Sequence, residues 1–276
     1  MTQFDHAQLR IGDLTYRGSV YTPTGAAPVH PTVVLHHGFG STRLEAFGLF
    51  VQLSRALAQR GIKAVAFDRA GHGESDGEFF DTTLSGDILA SRAVVQAVRE
   101  WPDVDQGSLH LLGMSLGAIV ASVVAAEMDV PIASLTLLSP AAVFVDEIRS
   151  GTLQGRPIDD LAGTGYFDFN SAPLGPRFFD DARAFDVYGR AAGFDGPVRI
   201  IHGGQDVIVP EKYALRYQSV YGTNADVTIV PGGDHMWSTM AVREQLIART
   251  VDFVTRQVAS ASQAASSGRH GEHSWF

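Results

Sequence analysis

The sequence predicts an α/β protein built on a mostly parallel, eight-stranded sheet with helices on both faces and an inserted cap. Three observations carry this expectation. From Thr32 onward, short apolar runs rich in β-branched residues alternate with helical stretches, the pattern of parallel strands joined by crossover helices. The alternation fails between Pro140 and Pro197, a gap too long for an ordinary connection. Finally, Gly113-Met114-Ser115-Leu116-Gly117 stands where an apolar run gives way to an Ala-rich helical one. With 276 residues and 45% hydrophobic content, the chain can bury one large core.

Taken in order, residues 9–21 alternate weakly around Gly12-Asp13 and predict an antiparallel hairpin added to the sheet. Residues 32–36 and 63–68 read as strands. Between them, residues 45–60 place Phe50, Leu53, Leu57 and Ala58 at helical spacing and stop at Gly61, a C-cap. A second helix over 84–101 carries Ile88, Val94, Val95 and Val98 and ends before Pro102. Strand 108–112 then leads through Ser115 into a buried helix over 116–128, followed by strand 133–138. After the gap the sheet resumes at 198–202 and 227–230. A last helix over 241–258 offers Val242, Leu246, Val251, Phe253 and Val254 to the core. The expected division is a core of 1–140 with 197–258, a cap of 141–196 and a mobile tail of 259–276, rich in Ser, Ala and Gly.

The cap segment clusters aromatics: Tyr166, Phe167, Phe169, Phe178, Phe179, Phe185 and Tyr188. They are expected to form the cap's own core and to line a pocket. The same segment holds Asp159, Asp160, Asp180 and Asp181, which argues against a long lipid groove.

Composition removes several function classes. A net charge of -9 and no Lys/Arg cluster exclude nucleic acid as a partner. Without cysteine there is no disulfide framework, thiolate metal site or cysteine nucleophile, which leaves serine. The first six residues lack a secretory pattern and no run of eighteen apolar residues occurs, so a soluble, cytoplasmic protein with no membrane partner is expected. The sequence specifies no oligomeric state.

A serine on a strand-to-helix turn needs a strained backbone, tolerable when Gly113 and Gly117 leave room around it, and the turn pushes the hydroxyl outward. A serine hydroxyl is a weak nucleophile and requires a base and an orienting acid. Of ten histidines, His235 alone lies in a Gly-rich loop between a core strand and the final helix; His36, His37, His72 and His202 are weaker candidates. Asp206, on the loop after strand 198–202, supplies the acid and completes the chain order Ser, Asp, His. Asp234 is its rival. The backbone N–H groups of Leu116, at a helix start, and Phe39, in His37-Gly38-Phe39-Gly40, are the expected oxyanion donors. Asp68, Arg69 and Asp76 are expected to brace the loop below. The Gly-rich turn there lacks a dinucleotide fingerprint and no Walker pattern occurs, so no cofactor or metal is implied.

On the elbow at 113–117, the His37-Gly38-Phe39-Gly40 loop, the stretch Phe67-Asp68-Arg69-Ala70-Gly71-His72-Gly73-Glu74-Ser75-Asp76-Gly77 and the Asp206/His235 pair, the chain resembles the α/β-hydrolase superfamily over nearly its whole length. The Glu74-to-Gly77 turn, Ser139-Pro140-Ala141-Ala142 and Gly151-Thr152-Leu153-Gln154-Gly155 are similar to the bacterial feruloyl (cinnamoyl) esterases. That resemblance implies an aromatic-acid pocket under the cap, with Glu147 and Gln154 as the substrate-binding residues. Glu147 stands where that family has Asp, and the cap tyrosine of the family is replaced near Phe178 and Phe179.

The expected function is a serine carboxylester hydrolase forming an acyl-enzyme on hydroxycinnamoyl or other small aromatic or acyl esters. Rival readings are a monoacylglycerol-type lipase, a thioesterase, a C–C bond hydrolase and, outside enzymes, a hydrolase-like ligand-binding receptor.

Overall fold

The computed structural model describes residues 2–25, 27–159 and 161–268. The predicted hairpin is present and longer than expected, with β1 (Thr2–Ile11) and β2 (Leu14–Pro23) antiparallel around Gly12-Asp13. There follow β3 (His30–His36), α1 (Leu49–Ala58), β4 (Lys63–Phe67), α2 (Leu84–Arg99), β5 (Val104–Met114), α3 (Leu116–Glu127) and β6 (Ser134–Leu138). The cap region contains α4 (Val143–Arg149), β7 (Thr152–Leu153), β8 (Arg156–Pro157), α5 (Leu161–Thr164), β9 (Phe167–Phe169), β10 (Ala172–Leu174), α6 (Pro176–Ala184) and α7 (Val187–Ala191). The chain closes with β11 (Val198–Gly203), α8 (Lys212–Tyr221), β12 (Ala225–Val230) and α9 (Met240–Gly268).

The main sheet has eight strands in the order β1-β2-β4-β3-β5-β6-β11-β12. The pairs β1–β2 and β2–β4 are antiparallel and the other five are parallel, so β2 alone runs against the rest of the sheet. The central strands are buried along their length because both faces are covered, and successive side chains serve opposite sides. In β3, Val33 and Leu35 pack with α1 and α9, while Val34 packs with α2, α3 and the cap. The C-terminal ends of β3, β5, β11 and β12 therefore open on one rim, where ligands bind in sheets of this kind.

Several further elements differ from expectation. Residues 45–48 are not α-helical: Glu45 and Phe47 have φ of 57° and 52°, around a 3-10 turn at Ala46–Gly48, and α1 starts only at Leu49. α8 was not anticipated. α9 continues through the Ser/Ala segment to Gly268, well past the expected end at 258, because alanine, serine and glutamine propagate a helix whose first turns are anchored. The rest of the expected tail, 269–276, lies outside the described residues, as does Asp160 in the cap.

The cap is tied at two places. At its base the Arg149 guanidinium donates to the carbonyls of Arg183 (3.0 Å) and Phe185 (2.9 Å), joining the end of α4 to the end of α6. At its far side Gly175 N–H donates to the Phe80 carbonyl (3.0 Å), and the Asp181 carboxylate accepts from the Ser85 amide (2.8 Å) and hydroxyl (2.6 Å) at the start of α2. Phe167, Phe178, Phe179 and Phe185 are buried, not as a separate cap core but in one apolar cluster with the α2 and α3 side of the sheet, and Phe178 stacks on Phe39 at 4.6 Å. Tyr166 is exposed.

Candidate active site

Ser115 directly follows β5 and stands at the N-cap of α3 with φ 56° and ψ -122°, a backbone region that side chains rarely occupy. The turn tolerates no bulk beside it. A Cβ at Gly113 would collide with the Gly117 carbonyl, and one at Gly117 with the carbonyls of His36 and His37. Ser115 is buried under the cap rather than pushed to the open surface, and its Oγ faces the rim.

The loops after β11 and β12 bring Asp206 and His235 to it. Ser115 Oγ donates to His235 Nε2 at 3.0 Å, and His235 Nδ1 donates to Asp206 Oδ2 at 2.7 Å. The carboxylate fixes the tautomer, leaving Nε2 free to accept. The other oxygen, Asp206 Oδ1, accepts from the amides of Ile208 (3.0 Å) and Val209 (2.8 Å). Burial pushes the Asp206 carboxyl up, but the hydrogen bond and charge of His235, the Val209 amide and the nearby His202 outweigh it and hold it below its usual value. The rival Asp234 points elsewhere, accepting from the Ser238 amide (2.8 Å) and hydroxyl (2.6 Å).

Phe39 and Leu116 present N–H groups that donate to no protein acceptor among the described residues. The neighbouring groups of the 37–40 loop are spent. Gly38 N–H donates to Glu45 Oε1, and Gly40 N–H to His72 Nε2 (3.3 Å). Arg69 donates to the His37 carbonyl and, at 3.0 Å, to the Gly38 carbonyl, while His37 Nδ1 also donates to Gly38 O (2.8 Å).

Arg69 is itself buried and paired with buried Asp87 at 2.9 Å. Burial pushes Asp87 up to about 6 against the attraction of Arg69. The expected bracing by Asp68 and Arg69 is present: Asp68 accepts from the Arg43 amide (2.6 Å) and guanidinium and from the Glu74 amide (3.0 Å). Asp76 holds Arg17 (2.7 Å) and the Thr15 amide (2.9 Å).

Glu45 was not singled out in the sequence. Its half-buried carboxylate gathers Gly38 N–H, Ser41 Oγ (3.1 Å) and Ala46 N–H (3.2 Å). Burial raises its pKa despite these donors. His36 and His72 are pushed down to about 3 by burial and the Arg69 charge, and His37 is held well below its usual value, so none of the three is a base at neutral pH. His202 is also lowered by burial, and its Nε2 donates to the Val209 carbonyl at 2.8 Å.

A cavity of about 830 Å³ opens over Ser115 and His235, in the size range of small-molecule sites. Phe144 and Phe169 line it from the cap, together with Glu147, Gln154 and Asn170. Glu147 and Gln154 are thus brought together, and they touch: Glu147 Oε2 accepts from Gln154 N–H at 2.8 Å, which steadies the turn where Gln154 has φ 50°. Phe178 and Phe179 do not line the cavity. Among the described residues, no helix is long and apolar enough to cross a membrane.

The arrangement can bind a molecule of modest size, place a polarised hydroxyl beside it and offer two N–H donors to a developing negative charge. The model of the alpha/beta hydrolase family matches residues 33–249. Est1E from Butyrivibrio proteoclasticus, solved with ferulic acid bound, superposes with a TM-score of 0.84 at 25% identity, covering 92% of this chain and 99% of that one. An uncharacterized protein of Mycobacterium tuberculosis is 27% identical over 79% of this chain and 67% of its own length. Rat monoacylglycerol lipase ABHD6 is 24% identical over 71% of this chain, which spans about half (54%) of that lipase.

Proposed function

The chain belongs to the alpha/beta hydrolase family, and from that membership we propose that it is a serine carboxylester hydrolase acting through Ser115, His235 and Asp206 on small aromatic or acyl esters. The observation that carries the reading is the hydrogen-bonded line from Ser115 Oγ through His235 to Asp206 at the floor of the cavity. Ser115 Oγ attacks the ester carbonyl as its proton passes to His235 Nε2, and Asp206 stabilises the imidazolium. The carbonyl oxygen becomes the oxyanion between the Phe39 and Leu116 amides. The bond to the leaving oxygen then breaks, His235 returns the proton to it, and an acyl-enzyme remains. Water repeats the sequence and frees the acid.

The aromatic side of the proposal rests on Phe144 and Phe169 lining the same cavity as Glu147 and Gln154. The likeness to Est1E, which holds ferulic acid, supports an aromatic acyl group. No step needs a cofactor.

A fluorophosphonate probe tests the reading. A covalent adduct on Ser115, lost in Ser115→Ala, is expected, together with turnover in a panel of methyl hydroxycinnamates, p-nitrophenyl acetate, monoacylglycerols and thioesters. Labelling elsewhere, or no labelling and no turnover, would sink it. The fastest member of the panel names the acyl class, and preference for a monoacylglycerol or a thioester would replace the aromatic reading.

A further inference from the structure

The reaction proposed above fixes which way an ester lies, and the following inference rests on it. Four bonds radiate from the carbon under attack. One goes to Ser115 Oγ, and a second carries the oxyanion toward the Phe39 and Leu116 amides. The third carries the leaving oxygen, which must stay near His235 Nε2 because that nitrogen returns the proton. The acyl substituent takes the remaining direction, under Phe144 and Phe169. The leaving group must therefore run out past His235, across the two loops that carry Asp206 and His235.

Those loops display apolar side chains. Val207, directly after Asp206, is 92% exposed, Ile208 is 39% exposed, and Met236, directly after His235, is 43% exposed. All three line the cavity. The backbone beneath them is held: the amides of Ile208 and Val209 donate to the same carboxylate that holds His235, and the Met236 carbonyl accepts from Arg243 at 3.2 Å. Lone exposed apolar residues need no explanation, but three grouped at the mouth of one cavity mark a binding surface. Of the cavity's other polar side chains, Glu147, Gln154 and Asn170 lie in the cap, while Ser41 and Glu45 are engaged with each other and with the Gly38 and Ala46 amides.

We propose that Val207, Ile208 and Met236 form the leaving-group subsite, and that the preferred leaving group is an apolar alkyl or aryl alcohol rather than the hydroxyl of a sugar or of glycerol. As the carbon–oxygen bond breaks, the proton on His235 Nε2 passes to the alkoxide oxygen, and a neutral alcohol departs along this apolar rim. A polyhydroxy alcohol would there strip water from its hydroxyls against apolar side chains, with the nearby Ser41 and Glu45 already hydrogen-bonded to their own neighbours.

The test holds the acyl group at the fastest one found in the panel and varies the alcohol: methyl, butyl, hexyl, benzyl and glyceryl esters, each below its micelle concentration. The quantity to read is kcat/KM, which covers the steps up to alcohol release. It should rise about tenfold or more from methyl to hexyl, with the glyceryl ester below the hexyl. In the double variant Val207→Ser, Met236→Ser the hexyl-to-methyl ratio should fall several-fold. A flat profile, a glyceryl preference or an unchanged ratio in the variant would each overturn the subsite. Fluorophosphonate labelling of Ser115 separates the two levels. Labelling with a flat profile defeats this inference alone, whereas no labelling and no turnover defeats the serine hydrolase reading and the subsite with it.

Discussion

Arg69 does not line the cavity, yet it acts on the geometry there. The Gly38 carbonyl and the Phe39 N–H belong to one trans peptide and point in opposite directions, so a guanidinium holding the carbonyl at 3.0 Å aims the amide away from itself. Arg69→Gln is expected to lower kcat by about 10- to 100-fold with KM nearly unchanged, somewhat less than outright loss of an oxyanion donor. Steady-state kinetics separating the two constants check this, and an effect confined to KM would contradict it. Gln154→Ala should raise KM for hydroxycinnamoyl esters more than for p-nitrophenyl acetate, since only the larger acid reaches the cap wall that Gln154 lines. Equal changes for both substrates would remove Gln154 from acid recognition. Ser115, Asp206 and His235 were legible in the sequence because each follows a strand end with glycine close by. Glu45 was not. It lies inside an amphipathic pattern, and its partner Gly38 N–H belongs to a separate loop that only folding brings near.

At the scale of elements, the elbow depends on close approach of three backbones. Gly117→Ala places a methyl against the carbonyls of His36 and His37, so β3 and α3 must separate or the turn must open. The expected result is destabilisation at or above the roughly 1–3 kcal/mol usual for overpacking, read as a large drop in melting temperature. A variant that melts like the parent would show the turn to be less crowded than described. The long elements were readable because burial on both faces writes apolar runs and helical periods into the sequence. The cap hairpins were not, since strands of two or three residues such as β7 and β9 are too short to show a period. The start of α1 was misread because hydrophobic spacing continues through residues that Glu45 holds in a left-handed turn.

For the whole molecule, the buried histidines set the acid limit. Burial holds His36 and His72 down to about 3 and His110 to about 4, and lowers His37 and His202 as well. An unfolded histidine takes its proton near ~6.5. Below that pH the unfolded chain binds protons that the folded chain refuses, so stability is full above about pH 6.5 and falls as pH drops toward 4. Asp87, raised to about 6, and Glu45, also raised, act in the opposite sense because they take protons earlier when folded, but they are two groups against five. Denaturant unfolding should show a plateau above pH 7 and a decline between pH 6 and 4. His110→Gln, which keeps a polar group between Ser108 and Ser134, should reduce that slope by up to about 1.4 kcal/mol per pH unit. A level profile would mean these imidazoles are solvated. A different property follows from the Arg149 clasp, which holds the end of α4 against the end of α6. The excursion between them begins and ends within reach of one side chain, so in design terms it is a cassette. Its length and lining can be exchanged where the contacts of Phe178 with Phe39 and of Asp181 with Ser85 are kept, which directs variation to the cavity wall around Gln154 and Asn170.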